Sequence, residues 1–151
     1  MPPIGVWGPP VWNLFHTLAE KIKDERYAEV GPQLLKHVKN ICSHLPCPSC
    51  SQHATRFFAK APPNGFATKE RLKEGLFFFH NIVNRRTNKP IRPITMLNEY
   101  KTHNVARAYN RFIQVYNTRG NMKLLTDTFQ RQIIIRDFKK WLIANISAFN
   151  V

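Results

Sequence analysis

The stretch Leu45-Pro-Cys-Pro-Ser-Cys-Ser-Gln-His53 holds two of the chain's three cysteines, spaced C-x-x-C between two helical patterns. Pro46 ends the helix before it. Cys47-Pro48 opens the next, because proline suits a first helical turn where its missing N–H costs nothing. That helix runs to about Ala61, with Phe57 and Phe58 on its inner side. A cysteine at a helix N-terminus feels the positive end of the dipole, which favours thiolate. The motif is therefore expected to be reactive. A thioredoxin-like setting needs a strand before it, and here helices flank it on both sides. A zinc site needs four ligands; Cys47, Cys50 and His53 could combine with Cys42, His44 or His80, but no second close pair completes a standard finger. The remaining reading is a helical disulfide oxidoreductase working beside a bound flavin.

Outward from this stretch the periodicity stays helical. Before it, Val11, Leu14, Phe15, Leu18 and Ile22 form a stripe that starts after the turn Trp7-Gly-Pro-Pro10. Trp12 and His16 are four apart on that helix and share a face. A second helix is expected from near Tyr27 to His44, with Val30, Leu34, Val38, Ile41 and Cys42 inward. Cys42 reads as a buried cysteine or as a resolving thiol for Cys47. After the loop Ala61-Pro-Pro-Asn-Gly65, Thr68 suits an N-cap for a helix ending near Arg86. His80 and Asn84 share a face of it with Asn81 beside them, near Phe77 and Phe79. Such a group suits a flat heteroaromatic ligand or is simply the polar rim of an amphipathic helix. Thr95 is expected to cap a helix from Met96 to about Tyr116, broken by Gly120, before a last helix from about Asp127 to Ala148. With no convincing strand, the expected class is all-α, a bundle of five or six helices.

Composition bounds function. In 151 residues, 23 Lys and Arg stand against 9 Asp and Glu, a net +14. That favours anionic partners or is a generally basic surface. No basic region followed by an apolar run marks a signal peptide, and no stretch has membrane-spanning length. The expected setting is intracellular, where a C-x-x-C pair is more often redox or metal than structural.

Three ordered motifs carry a resemblance: Trp7-Gly-Pro-Pro-Val-Trp12 with His16, then the cysteine stretch, then His80-Asn-Ile-Val-Asn84 with Asn88-Lys89. Together they resemble the Erv/ALR family of FAD-linked sulfhydryl oxidases, and most of all its small members from large DNA viruses. The resemblance covers Trp7 to about Tyr100. It implies a four-helix bundle with a short fifth helix, FAD among the helices and a homodimer. It places an oxidase domain at 1–104 and a helical extension at 105–151. It implies that Cys47 faces the substrate and that Cys50 lies against the flavin. By similarity Trp12, His16, His80, Asn81, Val83, Asn84 and Lys89 line the FAD site, with His53 and Tyr100 as further contacts. The implied partners are protein dithiols or a thioredoxin-like electron donor, with oxygen as acceptor and hydrogen peroxide as product; membrane, nucleic acid and metal are not among them. For a viral member the location would be host cytoplasm and virion. The second cysteine pair of many cellular members is absent, so packing must hold the end of the His80 helix. The alternative from another class is a zinc-stabilised basic module that binds nucleic acid or serves as a virion scaffold. In the extension, Ile133, Ile134, Phe138, Trp141 and Leu142 form an apolar stripe that must be covered, leaving Arg131, Arg136, Lys139 and Lys140 outward.

Overall fold

The computed structural model describes residues 4–117 and 125–151. Four helices form the expected bundle: α1 (Ile4–Lys21), α2 (Tyr27–Ser43), α3 (Pro48–Lys60) and α4 (Lys69–Arg86). A short 3₁₀ helix, Ile94–Thr102, follows. Then come α5 (Val105–Tyr116) and α6 (Leu125–Ala144). Among the described residues no strand occurs; Ile22 and Phe149 make one isolated antiparallel bridge.

The caps at the centre of the chain follow the sequence. Cys47 is the N-cap of α3 with Pro48 in its first turn. Thr68 caps α4 by accepting the Arg71 N–H at 3.1 Å. Three boundaries differ from expectation. Helix α1 begins at Ile4 and carries Pro9 and Pro10 inside it. Those prolines leave the carbonyls of Gly5 and Val6 without helix donors, and both residues are exposed to solvent. The helix expected from Met96 is divided: the 3₁₀ segment covers Met96, and α5 starts later with Asn104, whose side chain accepts the Arg107 N–H at 3.0 Å. Pro93, not Thr95, precedes the 3₁₀ turn. Helix α6 stops at Ala144, because Asn145 turns its side-chain amide back to the Trp141 carbonyl at 2.9 Å. The expected break at Gly120 lies outside the described residues.

Helix α1 is central: it packs against α4, the 3₁₀ helix and α5, while α2 packs against α3 and α6. Leu14, Phe15 and Leu18 of α1, and Ile22 just after it, are almost fully buried, as are Leu72 and Leu76 of α4. Phe112, Tyr116 and Phe138 belong to the same apolar core. Polar contacts pin these elements. The Tyr116 hydroxyl donates to the Ile41 carbonyl at 3.1 Å, and Trp141 Nε1 donates to Gln33 at 2.7 Å. The Asn150 N–H reaches the Lys21 carbonyl at 2.6 Å, so the chain end is stitched to the end of α1. Gly75 permits another close approach, since a Cβ there would meet the Phe66 ring at 2.6 Å.

The register of α6 corrects part of the stripe. Phe138 and Leu142 are buried, Ile134 and Trp141 are half-buried, and Ile133 is exposed. Arg131, expected outside, is only 2% exposed, while Arg136, Lys139 and Lys140 do face solvent. The inward face runs Thr128, Arg131, Phe138, Leu142, so its first half is polar. There Arg131 donates to Thr128 Oγ1 at 3.3 Å.

Candidate active site

Two sulfurs stand at the start of α3. The extended Cys47 turns its Sγ over the helix end, where it accepts the Cys50 N–H at 3.3 Å and lies 3.2 Å from the Ser49 hydroxyl. One turn on, Ser51 Oγ accepts the Leu45 N–H at 2.8 Å and fixes the approach to the motif. Both motif cysteines are free and half-buried. Their ionisation is unequal. Partial burial opposes charge on Cys47, but hydrogen bonds from Cys50 and Ser49 outweigh it and hold this thiol below its usual range. Cys50 is pushed up to about 11 by burial, then by the hydrogen bond to Cys47 and its charge, with Arg86 opposing. The pair therefore places its first negative charge on Cys47.

Cys50 opens into a cavity of about 170 Å³. Its walls include Trp7, Trp12, Phe79 and Val83, with His53 and Arg86 at the polar side and Cys42 at the back. A second cavity, of about 300 Å³, shares Trp12 and Val83 and adds His80, Asn84, Lys89, Arg92 and Tyr100. Trp12 stands between them, its ring stacked on His80 at 4.1 Å and 6°. Behind it, His16 Nε2 and His80 Nδ1 are 2.9 Å apart and share one proton in a hydrogen bond. His16 also stacks on Tyr100 at 4.8 Å. Burial lowers His16 to about 3, with His80 adding to the effect. His80 falls to about 4 through burial, then the charges of Arg92 and Lys89. Both rings are neutral at pH 7, which lets one donate to the other.

The end of α4 shapes the second cavity. Asn88 takes a left-handed backbone at φ 59°, a conformation asparagine tolerates better than most residues. It returns the chain so that the Lys89 N–H meets the Asn84 carbonyl at 2.7 Å. Asn81 spans the backbone of Arg92, donating to its carbonyl at 2.9 Å and accepting its N–H at 3.0 Å. Two hydrogen bonds thus fold the basic turn against α4 in place of a cysteine pair. Asn81 lines neither cavity, and His16 stands behind the lining; the other expected cofactor contacts border one cavity or both. Cys42 is buried, which pushes its thiol strongly up. Among the described residues no three His, Cys, Asp or Glu side chains gather to hold a metal.

Sequence reasoning passed over Arg86 and Arg92. The signal for Arg86 was available: it lies three residues past Val83, hence on the same side of α4.

These features define a helical bundle that sets a reactive C-x-x-C pair against an aromatic-walled cavity. Residues 9–104 match the Erv1 / Alr family. The chain belongs to that family. One relative, the FAD-linked sulfhydryl oxidase of African swine fever virus (isolate Pig/Kenya/KEN-50/1950), is 32% identical over 85 residues, covering 56% of this chain and 71% of the relative. FAD-linked sulfhydryl oxidase ERV1 of Oryza sativa subsp. japonica is 30% identical over 91 residues, covering 60% of this chain and 46% of that protein. No solved structure matches this chain.

Proposed function

We propose that this protein is an FAD-dependent thiol oxidase that makes disulfides in dithiol proteins and yields hydrogen peroxide from oxygen. The observation that carries it is the position of Cys50, which touches the α3 N-terminal Cys47 on one side and lines the aromatic cavity on the other.

The residues fit the cofactor. Among the described residues Trp7 Nε1 is buried with no hydrogen-bond partner, as expected of a group awaiting a ligand. Trp7 lines the Cys50 cavity, which suits a flat ring with acceptor atoms. Lys89 and Arg92 beside His80 and Asn84 suit the phosphate and ribose end. Trp12, Val83 and Tyr100 would pack on the rings. Bound FAD supplies a two-electron acceptor that oxygen can recharge.

The chain's own chemistry begins with the Cys47–Cys50 disulfide. A substrate thiolate attacks Cys47 Sγ, and Cys50 leaves as thiolate. In the mixed disulfide Cys47 is uncharged, so it does not oppose ionisation of Cys50, and Arg86 favours it. The second substrate thiolate then attacks the substrate sulfur of the mixed disulfide, Cys47 leaves as thiolate, and the substrate departs as a disulfide. Two thiols become one disulfide, and two electrons and two protons pass on to oxygen.

Homodimerisation, a thioredoxin-like donor, and a place in host cytoplasm or virion are finer parts of the same reading, drawn from the family resemblance. So is the division into an oxidase domain at 1–104 and an extension at 105–151. The test is direct. Purified protein should be yellow, consume oxygen with dithiothreitol and release one peroxide per disulfide. Colourless protein carrying stoichiometric zinc would replace this reading with the zinc-module alternative.

A further inference from the structure

Residues 30–69 and 75–98 contain nine Lys or Arg and no Asp or Glu. These two stretches build most of α2, all of α3 and most of α4, so they surround both cysteines of the motif. Among the described residues most ion pairs lie elsewhere: Lys73 with Glu20 and Glu70, Arg26 with Glu29, and Arg136 with Asp137. Among the described residues, Glu99 alone pairs with a cation of this region, Arg92. Arg86 borders the Cys50 cavity and is exposed to solvent. Arg56 is also exposed, one helical turn from His53, and lines neither cavity. Neither arginine has an acidic partner among the described residues. The two cations flank His53, whose pKa falls through burial, then the charges of Arg86 and Arg56.

We propose that the dithiol this enzyme oxidises sits in an acidic segment of its partner protein, drawn to Arg86 at the Cys50 cavity and to Arg56 on the far side of His53. The inference rests on the thiol-oxidase reading and names the substrate class. Its chemistry is coherent. Carboxylates next to a thiol raise its pKa, which leaves little thiolate at neutral pH. Docking against a cationic rim offsets those carboxylates and restores the nucleophile at the sulfur it must attack. The same field steers an acidic partner and repels a basic one. Lys89 and Arg92, in the second cavity, are assigned to the cofactor; Arg56 has no such duty.

The experiment uses the full-length, flavin-loaded protein and three synthetic peptides with one cysteine pair flanked by Glu, Gln or Lys. Oxygen uptake gives kcat/KM for each, divided by the same preparation's rate with dithiothreitol. The expected order is Glu above Gln above Lys, with a spread of about tenfold or more at low salt. The spread should collapse near 1 M salt, where the screening length is about 3 Å. Arg56→Glu should flatten the order, whereas Lys140→Glu, an equal change of net charge on α6, should preserve it. Equal values for the three peptides, with dithiothreitol oxidised, would overturn the substrate proposal and leave the oxidase reading standing. Equal flattening by Lys140→Glu would also overturn it, since net charge alone would then explain the order. Failure to oxidise any dithiol would remove the oxidase reading and this proposal with it.

Discussion

The redox end and the C-terminal helices solve opposite problems with similar material. Around the Cys50 cavity, aromatic rings from α1 and α4 enclose space, and among the described residues Trp7 Nε1 is buried without a hydrogen-bond partner. In α5 and α6, comparable rings close space: Phe112, Tyr116 and Phe138 fill the core, and the Tyr116 hydroxyl and Trp141 Nε1 both find acceptors. Unsatisfied polar atoms cost stability. At the Cys50 cavity, Trp7 Nε1 carries such a cost, which a bound ligand with an acceptor atom would offset.

Substitution at the motif should break the contrast most sharply. Cys47→Ser or Cys50→Ser is expected to cut dithiol oxidation by roughly a thousandfold or more, in the manner of groups that act as a unit, while circular dichroism stays unchanged. Cys42→Ala should keep most of the turnover, because that thiol is buried and held protonated. Loss of oxygen uptake in Cys42→Ala with flavin still bound would make it a third redox partner.

At the packed end, Phe138→Ala should cost about 3–5 kcal/mol, read by urea denaturation. Phe138 is fully buried and contacts Phe112, Tyr109 and Trp141. A loss below about 1 kcal/mol would mean that α6 packs more loosely than the structure shows.

Acid should act through the redox end. His16 and His80 have folded pKa values of about 3 and about 4, below the ordinary 6.5. The unfolded chain therefore binds more protons between those values. The stability of the neutral rings is fully present above pH 6.5 and is lost as pH falls, by up to about 1.4 kcal/mol per histidine per pH unit. Denaturation at pH 7, 5.5 and 4.5 should show the decline, and His16→Gln should reduce its slope. A flat profile would contradict the buried neutral pair. His80→Ala should also lower flavin occupancy and melting temperature together, since ligand binding stabilises through linkage.

The smallest expected effect is Tyr116→Phe, about 1 kcal/mol for one hydrogen bond to the Ile41 carbonyl. A loss near zero would show that the contact is compensated by solvent.

Legibility followed the same contrast. Local rules exposed α3 and α4, because Cys47-Pro48 and Thr68 carry the capping chemistry in their own side chains. His16 beneath Trp12 was readable from a four-residue spacing. Other features depended on tertiary partners. Proline rules argue against Pro9 and Pro10 inside α1, yet solvent around Gly5 and Val6 permits it. Leu97 and Tyr100 are spaced three apart, which suits a 3₁₀ turn as well as an α-helix. Arg131 reads as surface until Thr128 and Tyr116 are found beside it. Arg86 needed only the position of Val83, but its meaning needed Cys50 across the cavity.

The cap on α3 has a thermodynamic consequence. Cys47 Sγ collects hydrogen bonds from Cys50 and Ser49 as a thiolate, and that anion exists only when the pair is reduced. Bonds that stabilise the reduced form raise the pair's reduction potential. A hydrogen bond to a charged group contributes about 1.5–3 kcal/mol, and about 30 mV corresponds to 1.4 kcal/mol for a two-electron couple. The helix terminus therefore sets a voltage: each such bond makes the disulfide a stronger oxidant by roughly 30–60 mV, pulling electrons from the substrate and lowering the drive to pass them onward.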